Sequence, residues 1–439
     1  MLDSNMKKSV FIYTYGCQMN VHDSEKMLGV LAESGYVEAE RPENADLIIF
    51  NTCAIRAKAE QKFYSQLGRT KLLKKKRPDL KIAVAGCVAQ DEKKKLFAKA
   101  PFLDFAFGPQ NIHLLNDMID GTRTLVLEDN PEIGVRELVA RRQGKLKAWV
   151  SIMYGCNNFC SYCIVPYTRG REVSRPSSSI VSEMRNLHAE GYKEVTLLGQ
   201  NVNSYRSDLD FPGLLRCIGS INIERIRFVT SHPRDLSLEL IKVMSELPGV
   251  CEHIHLPIQS GSDRILKQMN RGYTCDAYMK KVAMLRENIP GVAITADVIA
   301  GFPGESDKDH EDTIKALREI GFDGIFAFKF SPRKGTPAYE IEEQVSDAVK
   351  AERLSSILQL QEGITYRKNK LLEGTIQEIL IEGPSETDSK MLIGRTRTNK
   401  IVTIPNSHGR EGVFVKVIIE KARQHSLCGK KVDAESDAA

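Results

Sequence analysis

The 439-residue sequence has no apolar run close to the ~18 residues that a membrane-spanning helix requires, so no membrane partner is expected. The opening residues, Met1 to Lys8, run straight into a strand pattern without the apolar stretch of a secretory leader. A cytoplasmic protein with reduced thiols is therefore expected. Ten cysteines are too few in a chain of this length to form a disulfide scaffold. The net charge of +5 is mild, so its distribution matters more than its total. The apolar content of 42% supplies real cores, and the length suggests two to four domains.

The cysteines that are present are not scattered. Cys156, Cys160 and Cys163 form C-x-x-x-C-x-x-C after the apolar run 148–153, on a loop leaving a buried strand. Soft thiolates at short spacing select zinc or an iron–sulfur cluster. No nearby fourth Cys or His completes a zinc tetrahedron, and three thiolates leave one corner of a four-iron cube open. A zinc knuckle, or three unrelated buried cysteines, is the plainer alternative.

Cys17, Cys53 and Cys87 each follow an apolar strand pattern, at gaps of 35 and 33 residues. Each gap fits one βαβ crossover, and helical patterns over 24–34 and 56–76 fill them. In a parallel sheet all C-terminal strand ends share one edge, so three distant cysteines can converge there. The plainer alternative is three small buried residues capping strands. A basic helix is expected over 91–100, a last strand over 123–127, and a linker over 129–145.

Six strands are predicted next, at 148–153, 194–198, 225–230, 252–257, 292–299 and 324–330, with helices between them. They make a (β/α) barrel that lacks two of the full eight units, with chemistry on the loops after the strands. Those loops carry Gln200 and Asn201, Ser231 and His232, Gln259 and Ser260, and Glu305. Amides, hydroxyls and glycines suit a polar, nucleoside-sized ligand, while His232 before Pro233 reads as a buried, hydrogen-bonded residue. Cys217, Cys251, Cys275 and Cys428 lack ligand spacing and read as small apolar fillers. After a helix over 344–370, strands at 374–381, 391–394, 400–404 and 412–420 suggest a small β-barrel. Residues 367–431 hold 13 Lys and Arg against 7 Asp and Glu, and such a basic module suits a polyanion. A solvated basic face is the alternative.

The Cys156 motif resembles the cluster loop of radical S-adenosylmethionine (SAM) enzymes, with Tyr162 at the aromatic position near the adenine. Thr14-Tyr15-Gly16-Cys17-Gln18-Met19-Asn20, Asn51-Thr52-Cys53 and Ala85-Gly86-Cys87 resemble the ligand motifs of the methylthiotransferase family. The likeness runs over nearly the entire chain. It implies three domains: a Rossmann-like parallel α/β domain (7–128), a partial (β/α)6 radical SAM core (146–367) and an RNA-binding TRAM β-barrel (368–432). A disordered tail is expected over 433–439.

By this resemblance Cys17, Cys53 and Cys87 hold an auxiliary 4Fe-4S cluster, and Cys156, Cys160 and Cys163 hold the 4Fe-4S cluster that binds SAM. Gln200, Asn201, Gln259, Ser260 and Glu305 become SAM or substrate contacts; for each, the alternative is a turn residue satisfying backbone groups. Arg395, Arg397 and Lys400 become RNA contacts. The motifs are most similar to the branch acting on isopentenyl-adenosine in tRNA. Related branches act on threonylcarbamoyl-adenosine or on a ribosomal-protein aspartate. The implied reaction uses SAM twice, as methyl donor and as source of a 5′-deoxyadenosyl radical that removes hydrogen from carbon 2 of the adenine. It implies a tRNA anticodon stem-loop, an electron donor and a sulfur donor as partners, with the enzyme a monomer. A reading from another class is an iron–sulfur RNA-binding protein without turnover.

Overall fold

Six parallel strands open the chain: β1 (Ser9–Tyr15), β2 (Val37–Glu38), β3 (Leu47–Thr52), β4 (Lys81–Ala85), β5 (Phe105–Phe107) and β6 (Leu125–Val126), in the order β2-β1-β3-β4-β5-β6. The computed structural model describes residues 8–53, 57–121, 124–130, 138–142 and 144–432. Residues 131–137 and 143 of the expected linker, and the expected 433–439 tail, lie outside these. Strand β3 is buried along its whole length, as its unbroken apolar run requires of a central parallel strand. Register aligns the strand ends, with Tyr15 opposite Thr52 and Asn51 opposite Ala85. The order reverses between β1 and β3, which makes the edge above them a crevice for ligands.

Two helix expectations need correction. The first helix spans Gln18–Glu33, six residues earlier than its apolar face suggests, because it starts directly behind Cys17. The basic helix expected over 91–100 is two short helices, Cys87–Glu92 and Lys95–Lys99, parted by Lys93 in the left-handed region (φ 53°).

The central domain contributes β7 (Lys147–Ser151), β8 (Met153–Tyr154), β9 (Val173–Ser174), β10 (Glu194–Leu198), β11 (Arg225–Phe228), β12 (His253–His255), β13 (Ala293–Ala300) and β14 (Gly324–Lys329). Strands β7, β10 and β11 pair in parallel, as do β12, β13 and β14, and a parallel bridge from Ile226 to Val250 joins the two sets. The result is an arc of six parallel strands backed by helices, as predicted. Strands β8 and β9 form an antiparallel pair that brackets the loop carrying Cys156, Cys160 and Cys163.

The helix Asp347–Lys370 returns along the barrel into a closed barrel of β15 (Ile376–Pro384), β16 (Met391–Thr396), β17 (Ile401–Pro405), β18 (Phe414–Ala422) and β19 (Leu427–Lys431). Buried residues alternate along β16 and β17, so one face of each lines a small core. This module docks at the N-terminal ends of the arc. Arg225 donates to the Arg395 carbonyl (2.6 Å), and Arg227 to that of Thr396 (2.8 Å). A cleft of about 630 Å³ opens at this seam, lined by Glu252, Asp323, Lys368 and Arg397, at the opposite strand ends from the cysteines. Among the described residues no helix is long and apolar enough to cross a membrane.

Candidate metal centres and their surroundings

Each cysteine of the first trio sits where a strand of the opening sheet ends. Cys17 caps the helix Gln18–Glu33, Cys53 follows β3, and Cys87 starts the helix Cys87–Glu92. The Cys53 amide donates to the Tyr15 carbonyl (2.9 Å), tying two of the loops together. Gly16 makes this approach possible, since a Cβ there would lie 2.6 Å from the Cys53 Cβ. Asn20 and Asn51 brace the same loops, the Asn20 Nδ2 donating to Asn51 Oδ1 (3.1 Å) and the Asn51 Nδ2 to the Asn20 carbonyl (2.7 Å). A hydrogen bond with Cys53, together with the nearby Arg169 charge, holds the Cys17 thiol down at about 5 despite burial. That thiol is ready to act as a ligand at neutral pH.

The second trio occupies one loop. The Cys156 amide donates to the Gly170 carbonyl (3.2 Å), and that of Cys163 to the Cys160 carbonyl (2.9 Å). Burial, and then the neighbouring Cys160, push the Cys163 thiol up to about 12; burial also raises Cys156. Three closely spaced thiols are a donor set that fits a cluster site. Among the described residues no three His, Cys, Asp or Glu side chains gather tightly enough for a single metal ion. A cubane, with its irons at separate corners, takes thiolates held further apart than one ion does.

The two trios are linked by Arg169, which follows the second trio in sequence and reaches the first in space. It pairs with Asp23 (2.9 Å, both buried), hydrogen-bonds to Cys87, and its carbonyl accepts from Gln110 (2.7 Å). Nearby, Lys26 donates to the Tyr154 hydroxyl (2.6 Å).

The residues predicted to meet SAM divide into two groups. Buried polar atoms without a protein partner gather on the loops after β10 and β11: Gln200 Oε1, Asn201 Oδ1, Ser231 Oγ and His232 Nε2. Such orphans fit a polar, nucleoside-like ligand, because buried polar atoms otherwise find partners. His232 accepts from the Arg234 amide through Nδ1 (3.2 Å) and is kept neutral, its pKa lowered to about 2 by burial and the Arg271 charge. Tyr162 is half-buried, its hydroxyl 3.5 Å from Arg271 Nη1.

Ser260 and Glu305 are already engaged within the fold, and the Gln259 backbone takes part in the sheet. The Gln259 backbone bridges Asp297 and Ile299. Ser260 is fully buried between Thr313 (3.2 Å) and the Ser262 amide (3.2 Å), so its hydroxyl is already used. The Glu305 carboxylate accepts from the Gly301 amide (2.8 Å) and from Arg353 (2.8 Å).

The three cations expected to meet RNA all have carboxylate neighbours within the protein. Arg397 bonds Glu252 (2.8 Å) and the carbonyls of Pro248 and Val250, Lys400 lies 3.3 Å from Asp323, and Arg395 lies 3.0 Å from Glu382. Arg397 and Lys400 thus hold the terminal module to the barrel, since carboxylates of the arc and its loops face them. Cys217 is exposed rather than a filler, and Cys251 is buried as expected. Sequence reasoning passed over Arg169, Arg271, Asn20 and Asn51 as site residues. The two asparagines stood inside motifs already marked, which was the available signal.

Three family models match the chain: Uncharacterized protein family UPF0004 over 9–108, the Radical SAM superfamily over 150–317 and the TRAM domain over 370–432. The chain is 54% identical to the tRNA-2-methylthio-N(6)-dimethylallyladenosine synthase of Thermodesulfovibrio yellowstonii, over 96% of this chain and 98% of that one. It is 50% identical to the protein of that name from Syntrophus aciditrophicus, over 98% and 95%. Among solved structures, the radical S-adenosylmethionine methyltransferase TsrM from Kitasatospora setae shares the fold (TM-score 0.57, 15% identity), covering 76% of this chain and 77% of that one.

Proposed function

Because the chain belongs to the tRNA-2-methylthio-N(6)-dimethylallyladenosine synthase family, we propose that Cys17, Cys53 and Cys87 hold an auxiliary 4Fe-4S cluster and Cys156, Cys160 and Cys163 the 4Fe-4S cluster that binds SAM. The enzyme is a radical SAM methylthiotransferase that acts on dimethylallyl-adenosine in tRNA. We assign residues 7–128 to the auxiliary-cluster domain, 146–367 to the SAM core and 368–432 to the RNA-binding barrel, with a short connection over 129–145. Its compartment in this reading is the cytoplasm, where tRNA is found, and the base enters from an anticodon stem-loop.

When bound, the clusters and SAM supply one-electron chemistry and a site for the inserted sulfur. The protein's own part is placement. Register along the opening sheet brings three thiols to one edge, and the antiparallel pair β8–β9 holds the loop of the other three. Arg169 keeps these two loops in fixed relation. Gln200, Asn201 and His232 offer orphaned polar atoms that can orient SAM or the adenine, with Tyr162 alongside. A single-stranded loop base is splayed out at modest cost, which suits a site reached from the strand ends.

The observation that carries this reading is the pair of cysteine trios, each at the C-terminal end of parallel strands and joined through one buried arginine. Mass spectrometry of tRNA nucleosides tests it. Deletion should remove 2-methylthio-N6-dimethylallyladenosine, and its persistence would refute the assignment. Reconstituted, reduced protein should hold two clusters and convert SAM to 5′-deoxyadenosine. Two intact clusters without that product would favour a non-catalytic RNA-binding protein.

A further inference from the structure

Among the described residues six arginines are buried: Arg169, Arg175, Arg225, Arg227, Arg271 and Arg353. Five of them have a carboxylate partner within 3.1 Å, namely Asp23, Glu183, Glu378, Glu194 and Glu305 in turn. Among the described residues Arg271 has none, although it is only 5% exposed. Buried cations are as a rule paired with an anion.

The hydrogen bonds of Arg271 show where its anion must come from. Nη1 donates to Cys160 Sγ (3.2 Å) and approaches the Tyr162 hydroxyl (3.5 Å). Nη2 donates to the Pro257 carbonyl (3.1 Å) and Nε to the Tyr273 hydroxyl (3.1 Å). Every partner other than the sulfur is neutral. The segment that carries Arg271 also grips the cysteine loop. The Ser161 amide donates to the Met269 carbonyl (3.0 Å), the Ser161 hydroxyl to that of Gln268 (2.8 Å), and the Asn270 side chain to that of Phe159 (3.0 Å). The guanidinium is therefore fixed against one sulfur by a preformed clamp.

We propose that Arg271 is the built-in counter-charge of the Cys156/Cys160/Cys163 centre, a positioning residue that hydrogen-bonds the Cys160 thiolate and eases one-electron reduction. The inference rests on the reading above, that this trio holds a 4Fe-4S cluster. Cluster potentials respond to net charge, to hydrogen bonds on the sulfurs and to solvent exposure, and Arg271 bears on all three. Reduction brings one electron from the external donor and one further negative charge, with no proton moved. A fixed cation beside the sulfur lowers the energy of that more negative state. Removing the cation shifts the potential downward.

The test is an EPR-monitored potentiometric titration of the reconstituted full chain, with iron and sulfide content measured alongside. In Arg271→Gln the reduced-to-oxidised ratio at fixed potential should fall about tenfold, equivalent to about 59 mV for a one-electron couple. Arg271→Lys keeps the charge but not the fork, so its potential should lie between that of Gln and wild type. The auxiliary centre in the same sample should not move. An unchanged potential in Arg271→Gln with full iron content overturns the inference. If the Gln variant does not retain the centre, the Lys variant decides: a lowered potential supports the inference and a wild-type one overturns it. A wild-type protein without a SAM-responsive cluster would sink the parent reading as well, whereas an unmoved potential in the variant sinks only this inference.

Discussion

Arg169 and Asp23 form a buried ion pair, 2.9 Å long, between the segment that follows one cysteine trio and the helix that Cys17 of the other trio heads. The pair spans 146 residues of sequence and crosses the boundary between the opening sheet and the half-barrel. With Arg169 also on Cys87, and Lys26 on Tyr154 just before Cys156, buried polar contacts tie the two cysteine loops together. An enzyme that must bring a radical and a sulfur to the same base needs such ties.

Arg169→Ala leaves Asp23 buried and unpaired, so it should destabilise the protein by about 3–5 kcal/mol, read from urea unfolding. Adding Asp23→Asn should restore part of the loss, because the orphaned charge is then gone. Equal losses in the single and double variants would show that the pair does not couple the two loops.

The two trios should fail differently. Cys160→Ala removes a proposed ligand of the SAM-side centre and should abolish 5′-deoxyadenosine formation. Cys53→Ala should spare some of that product yet stop methylthio insertion into tRNA. Normal methylthiolation in Cys53→Ala would contradict an auxiliary role for the first trio.

The strand ends were readable because the strands are plain. Leu47–Thr52 is an unbroken apolar run closed by Cys53, and its neighbours repeat the pattern, so the convergence of three cysteines followed from parallel topology alone. Phe105–Phe107 is too short to show a period, and Leu427–Lys431 ends in polar and charged residues, so both escaped notice as strands. Ser260 and Glu305 stand on the expected loops but point into the fold, since a motif fixes where a residue sits and not which way its side chain turns. Arg271 was invisible for another reason. Its contact with Cys160 spans 111 residues, and one arginine among 62 cations carries no local mark.

Glu25 gives the domain boundary a pH dependence. Burial raises its carboxyl to about 7, against the opposing pull of Arg142 and Lys26, and it touches the buried, neutral His22 (3.1 Å). A carboxyl raised in the folded state contributes its stability fully below the unfolded value of 4.5. That contribution is lost as pH rises toward about 7. Urea midpoints taken across this window should show the wild type losing ground relative to Glu25→Gln. Parallel profiles would mean that Glu25 is ionised throughout.

The terminal barrel offers the sharpest test of which cations meet RNA. Arg397 makes a two-pronged contact with Glu252, Nε to Oε2 at 2.8 Å and Nη2 to Oε1 at 2.9 Å, and Nη2 also donates to two carbonyls of the loop before β12. Both side chains retain about a quarter to a third of their exposure, so solvent screens the pair and a double-mutant cycle should return about 1 kcal/mol. A phosphate-contacting cation behaves otherwise: its removal lowers the slope of log affinity against log salt by about 1. Arg397→Ala should therefore loosen the module on the barrel while leaving that slope for tRNA unchanged. A slope reduced by about 1, with the Glu252 coupling near zero, would return Arg397 to the RNA-facing surface and show that the docked arrangement opens when tRNA binds.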